Sequence, residues 1–280
     1  MKTFFIHIFF IFIFASCMED KTVEVIVNST QAEGVPAEQA LIENKGNILK
    51  GKLYSHLEEI KFDFWIDTVE KLEYDKPIIE GRFFLEHKGP FFFLTMIFDT
   101  KSQKYLILQH EDFLMLYADT EKAPKWDGLF GANVYLYFLS NYTVTADSEL
   151  TEGGRTYSAG NLLDYELDSP WVEGEDGPGI GSKLYISSEL PIKELVISNG
   201  YFSQKTELYS KNNRVKSLRV SNAKDPTQAV VFDLEDTVQP RSLELGFTSE
   251  SLVLEILDVY PGSAYDDTCI NFILPKTKNY

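Results

Sequence analysis

Short runs of strand-forming residues, separated by turn residues, recur through the second half of the chain. In the run 242–247, Leu243, Leu245 and Phe247 alternate with smaller or more polar residues. This period of two places one set of side chains on the core face of a strand. Without a long helical period between the runs, a parallel βαβ fold is disfavoured. We therefore predict an all-β fold, with a β-sandwich here. Its strands are expected at 183–186, 192–198, 215–220, 229–234, 242–247 and 252–259.

The preceding part of the chain has a different, aromatic-rich pattern. Its apolar runs are separated by turn sequences such as Lys88-Gly89-Pro90 and Asp99-Thr100-Lys101. We predict a small antiparallel β domain, a meander, over residues 44–140 and a second domain over 141–280. The continuous apolar run at 91–98 indicates a strand covered on both faces. The segment 112–117 is compatible with a strand or a helix.

The N-terminus has the organisation of a secretory signal. Lys2 precedes an uncharged apolar run that is too short to span a bilayer, and small residues precede Cys17. This arrangement resembles the bacterial lipobox, which implies lipidation of Cys17 after removal of residues 1–16; the alternative is an ordinary signal with a chance cysteine. Residues 17–43 suit a flexible tether. We expect a lipid-anchored protein of the bacterial cell envelope, exposed to the periplasm or the cell surface.

The charge of the chain limits its partners. There are 26 basic and 43 acidic residues, which gives a formal net charge of -17. Nucleic-acid binding depends on Lys and Arg that neutralise phosphates, so we expect no nucleic-acid partner.

The two cysteines are Cys17 and Cys269. If Cys17 carries lipid, no intrachain disulfide can form. Cys269 stands among Thr268, Ile270 and Phe272, where a small buried hydrophobe is more common than a nucleophile.

Six ordered motifs in the second domain resemble the NADase-type glycan-binding domain, which is similar to discoidin and galactose-binding jelly rolls. The resemblance covers about residues 141–276 and implies a β-sandwich of carbohydrate-binding ancestry, without catalytic activity. The motifs are YSAGNLLD at 157–164, PWVEG at 170–174, GPGIG at 177–181, ISNGY at 197–201, NNRVK at 212–216, and VYPG at 259–262 followed by YDDTCI at 265–270.

The chain departs from the family pattern after the last motif. Many members continue with Ser-Glu, whereas this chain has Asn271-Phe272. In related jelly rolls an acidic residue at such a place helps to hold a structural calcium ion. We expect no cofactor, and the departure places a structural calcium ion in doubt.

Sugar recognition needs an aromatic ring face and polar groups that satisfy hydroxyls. For Trp171 the alternative is a core residue at a strand start, and for Arg214 it is an ion pair on a neighbouring strand. Asn199-Gly200 also suits a turn with positive φ, and the acidic loop 173–177 suits a solvated turn or a calcium loop. The candidate ligand residues are Trp171, Tyr201, Arg214, Asp164, Glu173, Asn161 and Asn199.

These features predict a non-catalytic protein whose jelly roll binds a glycan, with the first domain acting as a spacer or a second interaction site. A Gly-x-Ser-x-Gly elbow, a metal-binding His pair and a phosphate-binding glycine loop are absent from the sequence. One alternative is an envelope scaffold or adhesin that binds a protein partner through the jelly roll. Another is a polysaccharide hydrolase, for which two facing carboxylates in one cleft would be the mark.

Overall fold

The computed structural model describes residues 51–54, 60–65, 68–73, 76–110, 113–118, 129–130, 141–164 and 166–277. The predicted signal sequence, Cys17 and the tether lie outside these residues. Within the described part of the chain, no helix is long and apolar enough to cross a membrane. Almost all regular structure is antiparallel β-sheet, so the all-β prediction is confirmed.

The first described unit is an eight-stranded meander, here called the N-terminal sheet. Each strand pairs antiparallel with the next along the chain. The turns at Gly89 (φ 58°) and Asp99 (φ 52°) use the left-handed backbone region, which glycine and aspartate tolerate best. The 112–117 segment contains a strand. The strands are β1 Gly51–Tyr54, β2 Ile60–Trp65, β3 Thr68–Glu73, β4 Ile79–Lys88, β5 Phe91–Phe98, β6 Lys101–Gln109, β7 Leu114–Ala118 and β8 Leu129–Phe130.

The second unit is the predicted sandwich, a jelly roll. Its sheet order is β12-β17-β13-β16-β14-β15, β9 adds to β13, and β17 also pairs parallel with β14. One short helix, α1 Glu207–Lys211, and a 3-10 helix at Ala159–Leu163 lie in its connections. The strands are β9 Tyr142–Ala146, β10 Thr151–Glu152, β11 Arg155–Thr156, β12 Trp171–Val172, β13 Lys183–Asn199, β14 Asn213–Asn222, β15 Ala229–Asp233, β16 Arg241–Tyr260 and β17 Thr268–Thr277.

Two pairs of predicted strands are single long strands. Runs 183–186 and 192–198 form β13, and 242–247 and 252–259 form β16. Their mutual register shifts between Ser187 and Ile192, and Gly246 has φ 71°. Such bulges bend a strand without ending its hydrogen bonding, so the division into separate strands was wrong.

The jelly roll has its own apolar core. Leu243 and Leu245 are buried in it and Phe247 packs against it, which confirms the predicted alternation. Cys269 is fully buried beside Tyr201 and Val172, and burial raises the pKa of its thiol well above the ordinary value. Its predicted role as a small buried hydrophobe is confirmed.

The N-terminal sheet buries one face in its own core and part of the other face against the jelly roll. On β5, Leu94 and Met96 pack into a core within this sheet, whereas Phe91 on the opposite face packs against the jelly roll. The expectation of a strand covered on both faces is thus confirmed at Phe91 only, because the other side chains on that face of β5 are partly exposed. The layer between the units, here called the shared core, comprises Phe91, Leu106, Leu108, Phe113, Met115 and Tyr117 from the N-terminal sheet and Val196, Phe202, Tyr209, Val238, Phe272 and Leu274 from the jelly roll.

Candidate functional site

Trp171 does not present a ring face to solvent. Its side chain is 0% exposed in the jelly-roll core, and its indole Nε1 donates a hydrogen bond to the Ser148 carbonyl oxygen at 3.1 Å. A buried tryptophan with a satisfied N–H acts as a core residue. We therefore remove Trp171 from the candidate ligand contacts, because no sugar can stack on it.

Arg214 is also committed to the fold. Its guanidinium makes a bidentate pair with Asp236, through Nε to Oδ1 at 3.0 Å and Nη2 to Oδ2 at 2.6 Å. Nη1 donates to the carbonyl oxygens of Asn212 and Pro261. Burial opposes its charge, but the hydrogen bonds and charge of Asp236 leave the pKa of Arg214 raised. These contacts use four of the five N–H donors, and the side chain is only 9% exposed, so Arg214 stabilises these loops and does not present its guanidinium to solvent.

Glu173 holds the 173–177 loop in place. Its buried carboxylate accepts hydrogen bonds from the backbone N–H groups of Glu175 at 2.8 Å and Thr268 at 3.3 Å. Burial raises the pKa of Glu173, and the backbone donors oppose that shift only in part. A carboxylate enclosed in this way is a loop anchor, and it offers no open side to a sugar hydroxyl.

The three remaining polar candidates also make local contacts. Asn199 is buried and bonds the backbone of Val215 twice, donating through Nδ2 at 2.6 Å and accepting through Oδ1 at 3.0 Å. Asn161 donates to the Pro170 carbonyl oxygen. Asp164 is exposed and accepts a hydrogen bond from the Glu166 N–H. Of these three, only Asp164 lies open to solvent.

The turn prediction for Asn199-Gly200 is confirmed. Gly200 has φ 80°, and a Cβ there would lie 2.6 Å from Cε2 of Tyr209. Glycine is therefore favoured at this position for two reasons, the positive φ and the close approach of the Tyr209 ring.

Where the resemblance implies an acid, Asn271 and Phe272 offer a calcium ion at most one side-chain oxygen, the buried Asn271 Oδ1, which has no hydrogen-bond partner among the described residues. Phe272 is fully buried in the shared core, and Asn271 donates to the Ser198 hydroxyl oxygen at 3.1 Å. A hard cation needs several oxygen ligands. Among the described residues, no group of three or more His, Cys, Asp or Glu side chains is placed to hold a metal ion. Phe272 makes an apolar contact with the N-terminal sheet.

Four other side chains converge where β13 ends and β17 begins, and we call them the loop-end cluster: Arg155, Tyr157, Asp168 and Tyr201. The Tyr157 and Tyr201 rings meet edge to face with centroids 6.2 Å apart. The exposed Arg155 guanidinium lies 4.7 Å from the Tyr157 ring centroid and donates to the Asp168 carbonyl oxygen. Of the sequence candidates, Tyr201 alone belongs to this cluster.

Local backbone geometry positions the cluster. Gly153 and Gly154, with φ 59° and 82°, form the tight turn that pairs β10 with β11 and presents Arg155. Asp168 has φ 61° in the neighbouring loop. Tyr201 is only 9% exposed and lies on the side of the cluster that faces the jelly-roll interior. Tyr157 and Asp168 are partly exposed.

The charged members of the loop-end cluster affect the pKa of Tyr201 in opposite directions. Burial first, and then a hydrogen bond with Tyr157, raise the pKa of Tyr201 above its usual range; the charge of Asp168 raises it further and that of Arg155 lowers it. The Tyr201 phenol is therefore a neutral hydrogen-bonding group at physiological pH. A phenol pair, a guanidinium and a carboxylate together can satisfy the hydroxyls of a polyol and pack against its C–H groups.

Sequence reasoning missed Arg155 and Asp168. The Gly153-Gly154 pair signals a hairpin turn directly before the first family motif, and this signal could have drawn attention to Arg155. Asp168 carries no such signal, because only the fold brings its loop beside Tyr201.

Residues 137–274 match the family model for the NAD glycohydrolase translocation F5/8 type C domain. The match covers just under half of the chain and nearly all of the jelly roll. The resemblance drawn from the six motifs is therefore confirmed: the second unit is similar to this family and has a galactose-binding-like jelly-roll fold. The search of curated proteins found no match to this chain.

Several solved structures resemble about half of the chain. The family 32 carbohydrate-binding module of C. perfringens NanJ in complex with galactose is 11% identical, and the alignment covers 48% of this chain and 92% of that one, with a TM-score of 0.34. A GH31 CBM32-2 module bound to GalNAc is 17% identical, with 50% and 99% covered and a TM-score of 0.34. An F5/8 type C domain from Bacteroides fragilis is 11% identical, with 50% and 93% covered and a TM-score of 0.36.

Proposed function

We propose that this protein is a non-catalytic carbohydrate-binding protein of the bacterial cell envelope, and that the loop-end cluster is its sugar-binding surface. The observation that carries the proposal is the convergence of Arg155, Tyr157, Asp168 and Tyr201 at one end of a jelly roll of a carbohydrate-binding type. Two aromatic rings with a donor and an acceptor beside them are the elements that sugar recognition requires.

Charge favours a neutral glycan as the ligand. The chain carries a formal net charge of -17, so a sulfated or uronic polysaccharide meets a repulsive field. Within the cluster, Arg155 and Asp168 offset each other. Neutral hexoses and N-acetylhexosamines, including galactose and N-acetylgalactosamine, are therefore the first ligands to test.

The protein-scaffold alternative loses its main support. An exposed apolar face on the jelly roll would favour it, but Val196, Phe272 and Leu274 are buried against the N-terminal sheet. The large exposed apolar side chains of the described residues, such as Phe84, Ile180 and Val231, lie on different elements. Because the N-terminal sheet covers these apolar side chains, its role is more than that of a spacer.

Replacing Arg155 by alanine is expected to weaken glycan binding by about tenfold or more. Hydrogen bonds to a charged donor contribute roughly 1.5–3 kcal/mol, and 1.4 kcal/mol is a factor of ten in affinity. The measurement is a neutral-glycan array on the chain from residue 18 onward, followed by titration calorimetry with the sugar that binds most tightly.

The matched control is Arg219→Ala. Arg219 is an exposed arginine on β14, paired with Glu255 at 3.1 Å, far along the sheet from the loop end. It should leave affinity unchanged. Equal affinities for both variants would exclude Arg155 from the site, and an array without saturable binding by the unaltered protein would refute the carbohydrate function.

The lipid anchor is a separate part of the proposal, and it rests on the sequence Phe14-Ala15-Ser16-Cys17 after an apolar run. Intact-mass analysis of membrane-extracted protein should find a chain that begins at acylated Cys17, and Cys17→Ala should release the protein from the membrane fraction. Unmodified Cys17 in a protein that retains Met1 would contradict this localisation.

A further inference from the structure

We propose that the N-terminal sheet is a positioning element of the sugar site: it fixes the 200–206 segment and thereby sets the place of Tyr201. This inference rests on the proposed function, because it assigns the loop-end cluster as the site. It gives the N-terminal sheet a part in ligand binding without requiring it to touch the ligand.

The 200–206 segment connects the two units through adjacent residues. Tyr201 lies in the small cluster with Val172 and Cys269 that borders the site, whereas Phe202 lies in the shared core. Neighbouring side chains thus point to opposite sides of the segment. Any displacement of Phe202 must therefore move Tyr201 as well.

Phe202 is held by rings of the N-terminal sheet. Its ring meets Tyr117 of β7 edge to face with centroids 5.0 Å apart, and it stacks on Phe91 of β5 at 6.3 Å. Phe202 is 0% exposed. Tightly packed interiors resist displacement, so these two strands fix the ring.

Gln204 adds polar contacts to the same strand. Its side-chain amide Nε2 donates to the carbonyl oxygens of Ala118 at 2.9 Å and Tyr117 at 3.4 Å. The segment is thus joined to β7 by ring packing at Phe202 and by hydrogen bonds at Gln204.

The constraint reaches a second member of the cluster. The Asp168 N–H donates to the Phe202 carbonyl oxygen at 3.1 Å, and the Asp168 carbonyl oxygen accepts from Arg155. A continuous path therefore runs from β7 through Phe202 to Asp168 and Arg155. A site held in its binding geometry loses less conformational freedom on ligand binding, which increases affinity.

The test compares two glutamines that both bond backbone carbonyls of the N-terminal sheet. Gln204→Ala removes the contacts to β7 beside the site. Gln239→Ala removes contacts at another part of the interface, where Gln239 accepts from the Gln109 N–H at 2.8 Å and donates to Pro90 and Ile107. Both variants lose hydrogen bonds between the units, but only Gln204 belongs to the 200–206 segment.

Gln204→Ala is expected to lower affinity for the tightest-binding neutral monosaccharide by roughly threefold to tenfold, because the segment then samples other positions. Gln239→Ala is expected to leave affinity unchanged. The panel is galactose, glucose, N-acetylgalactosamine and N-acetylglucosamine, measured on the chain from residue 18 onward. Amide hydrogen exchange should speed up at 201–206 in Gln204→Ala and stay unchanged there in Gln239→Ala.

The outcomes separate the two proposals. If the unaltered protein binds neither the four sugars nor any glycan on the array, the proposed function fails and this inference fails with it. If the unaltered protein binds and Gln204→Ala binds equally well, the positioning role alone fails. Equal losses of affinity in both glutamine variants would also overturn it, because they would reflect general loosening of the interface.

Discussion

A chain that begins at residue 141 is expected to aggregate or to bind hydrophobic dyes strongly, whereas the chain from residue 18 onward stays soluble. Removing the N-terminal sheet exposes six side chains of the shared core: Val196, Phe202, Tyr209, Val238, Phe272 and Leu274. Burial of an apolar side chain contributes roughly 1.5–3 kcal/mol, so the lost stabilisation for six side chains is about 9–18 kcal/mol, an upper estimate because the unfolded chain also buries some apolar surface. This is comparable with the total stability of a typical domain, roughly 5–15 kcal/mol.

A reciprocal control separates this effect from mere shortening of the chain. Phe272→Glu combined with Leu274→Thr should make the 141–280 fragment more soluble, because both side chains then face water. The same pair in the longer chain should be strongly destabilising, because it places a carboxylate in the shared core without a partner. Dye binding, light scattering and denaturant unfolding measure both arms. A soluble, cooperatively folding fragment with its native residues would contradict the shared core.

Trp171→Ala is expected to lower the free energy of unfolding by about 4 kcal/mol, the range for deleting a buried aromatic side chain. The substitution leaves a large cavity in the jelly-roll core and an unpaired Ser148 carbonyl oxygen. Urea unfolding of the chain from residue 18 onward measures the change.

Two further variants serve as controls for Trp171→Ala. Trp171→Phe keeps most of the volume and should cost only about 1–2 kcal/mol while leaving sugar affinity unchanged. Tyr185→Ala removes an aromatic ring that is 39% exposed on the sheet surface and should change stability little. A Trp171→Ala variant with native stability and no sugar binding would return Trp171 to the ligand site.

Strand formation was predictable because it follows local rules. The alternation around Leu245 and the turn at Gly200 both have short-range causes, side-chain period and backbone freedom, and both predictions are confirmed. The extent of β13 and β16 was not predictable in the same way. Whether a bulge interrupts a strand depends on its partner's hydrogen bonds, which are not visible in the local sequence.

The candidate site was harder to predict because family motifs contain many residues that build the fold. Glu173, Asn199 and Arg214 are polar, yet each is buried with partners that anchor a loop or a strand. Polarity alone cannot distinguish such an anchor from a ligand contact; the distinction lies in whether a partner within the fold satisfies the group. Asp168 could be recognised only after the fold had brought its loop beside Tyr201, whereas the Gly153-Gly154 turn was the one local signal that pointed to Arg155.

The departure at Phe272 acquires a physical reason from the same packing. The acid that the family resemblance implies at this position would lie beneath the N-terminal sheet, in the shared core with Phe202 and Leu274. Burying that charge without a partner would be costly, so an aromatic residue suits the position. Phe272, the residue that departs from the family pattern, is therefore also one of the residues that pack the two units together.

Mapping the bound sugar by backbone amide chemical shifts is the most direct test of the loop-end cluster as the binding surface. The chain from residue 18 onward is titrated with the array sugar that binds most tightly. We expect saturable shifts concentrated at residues 151–157, 164–170 and 200–206. Shifts concentrated elsewhere, for example on the N-terminal sheet or at the edge strand β15, would contradict the assignment.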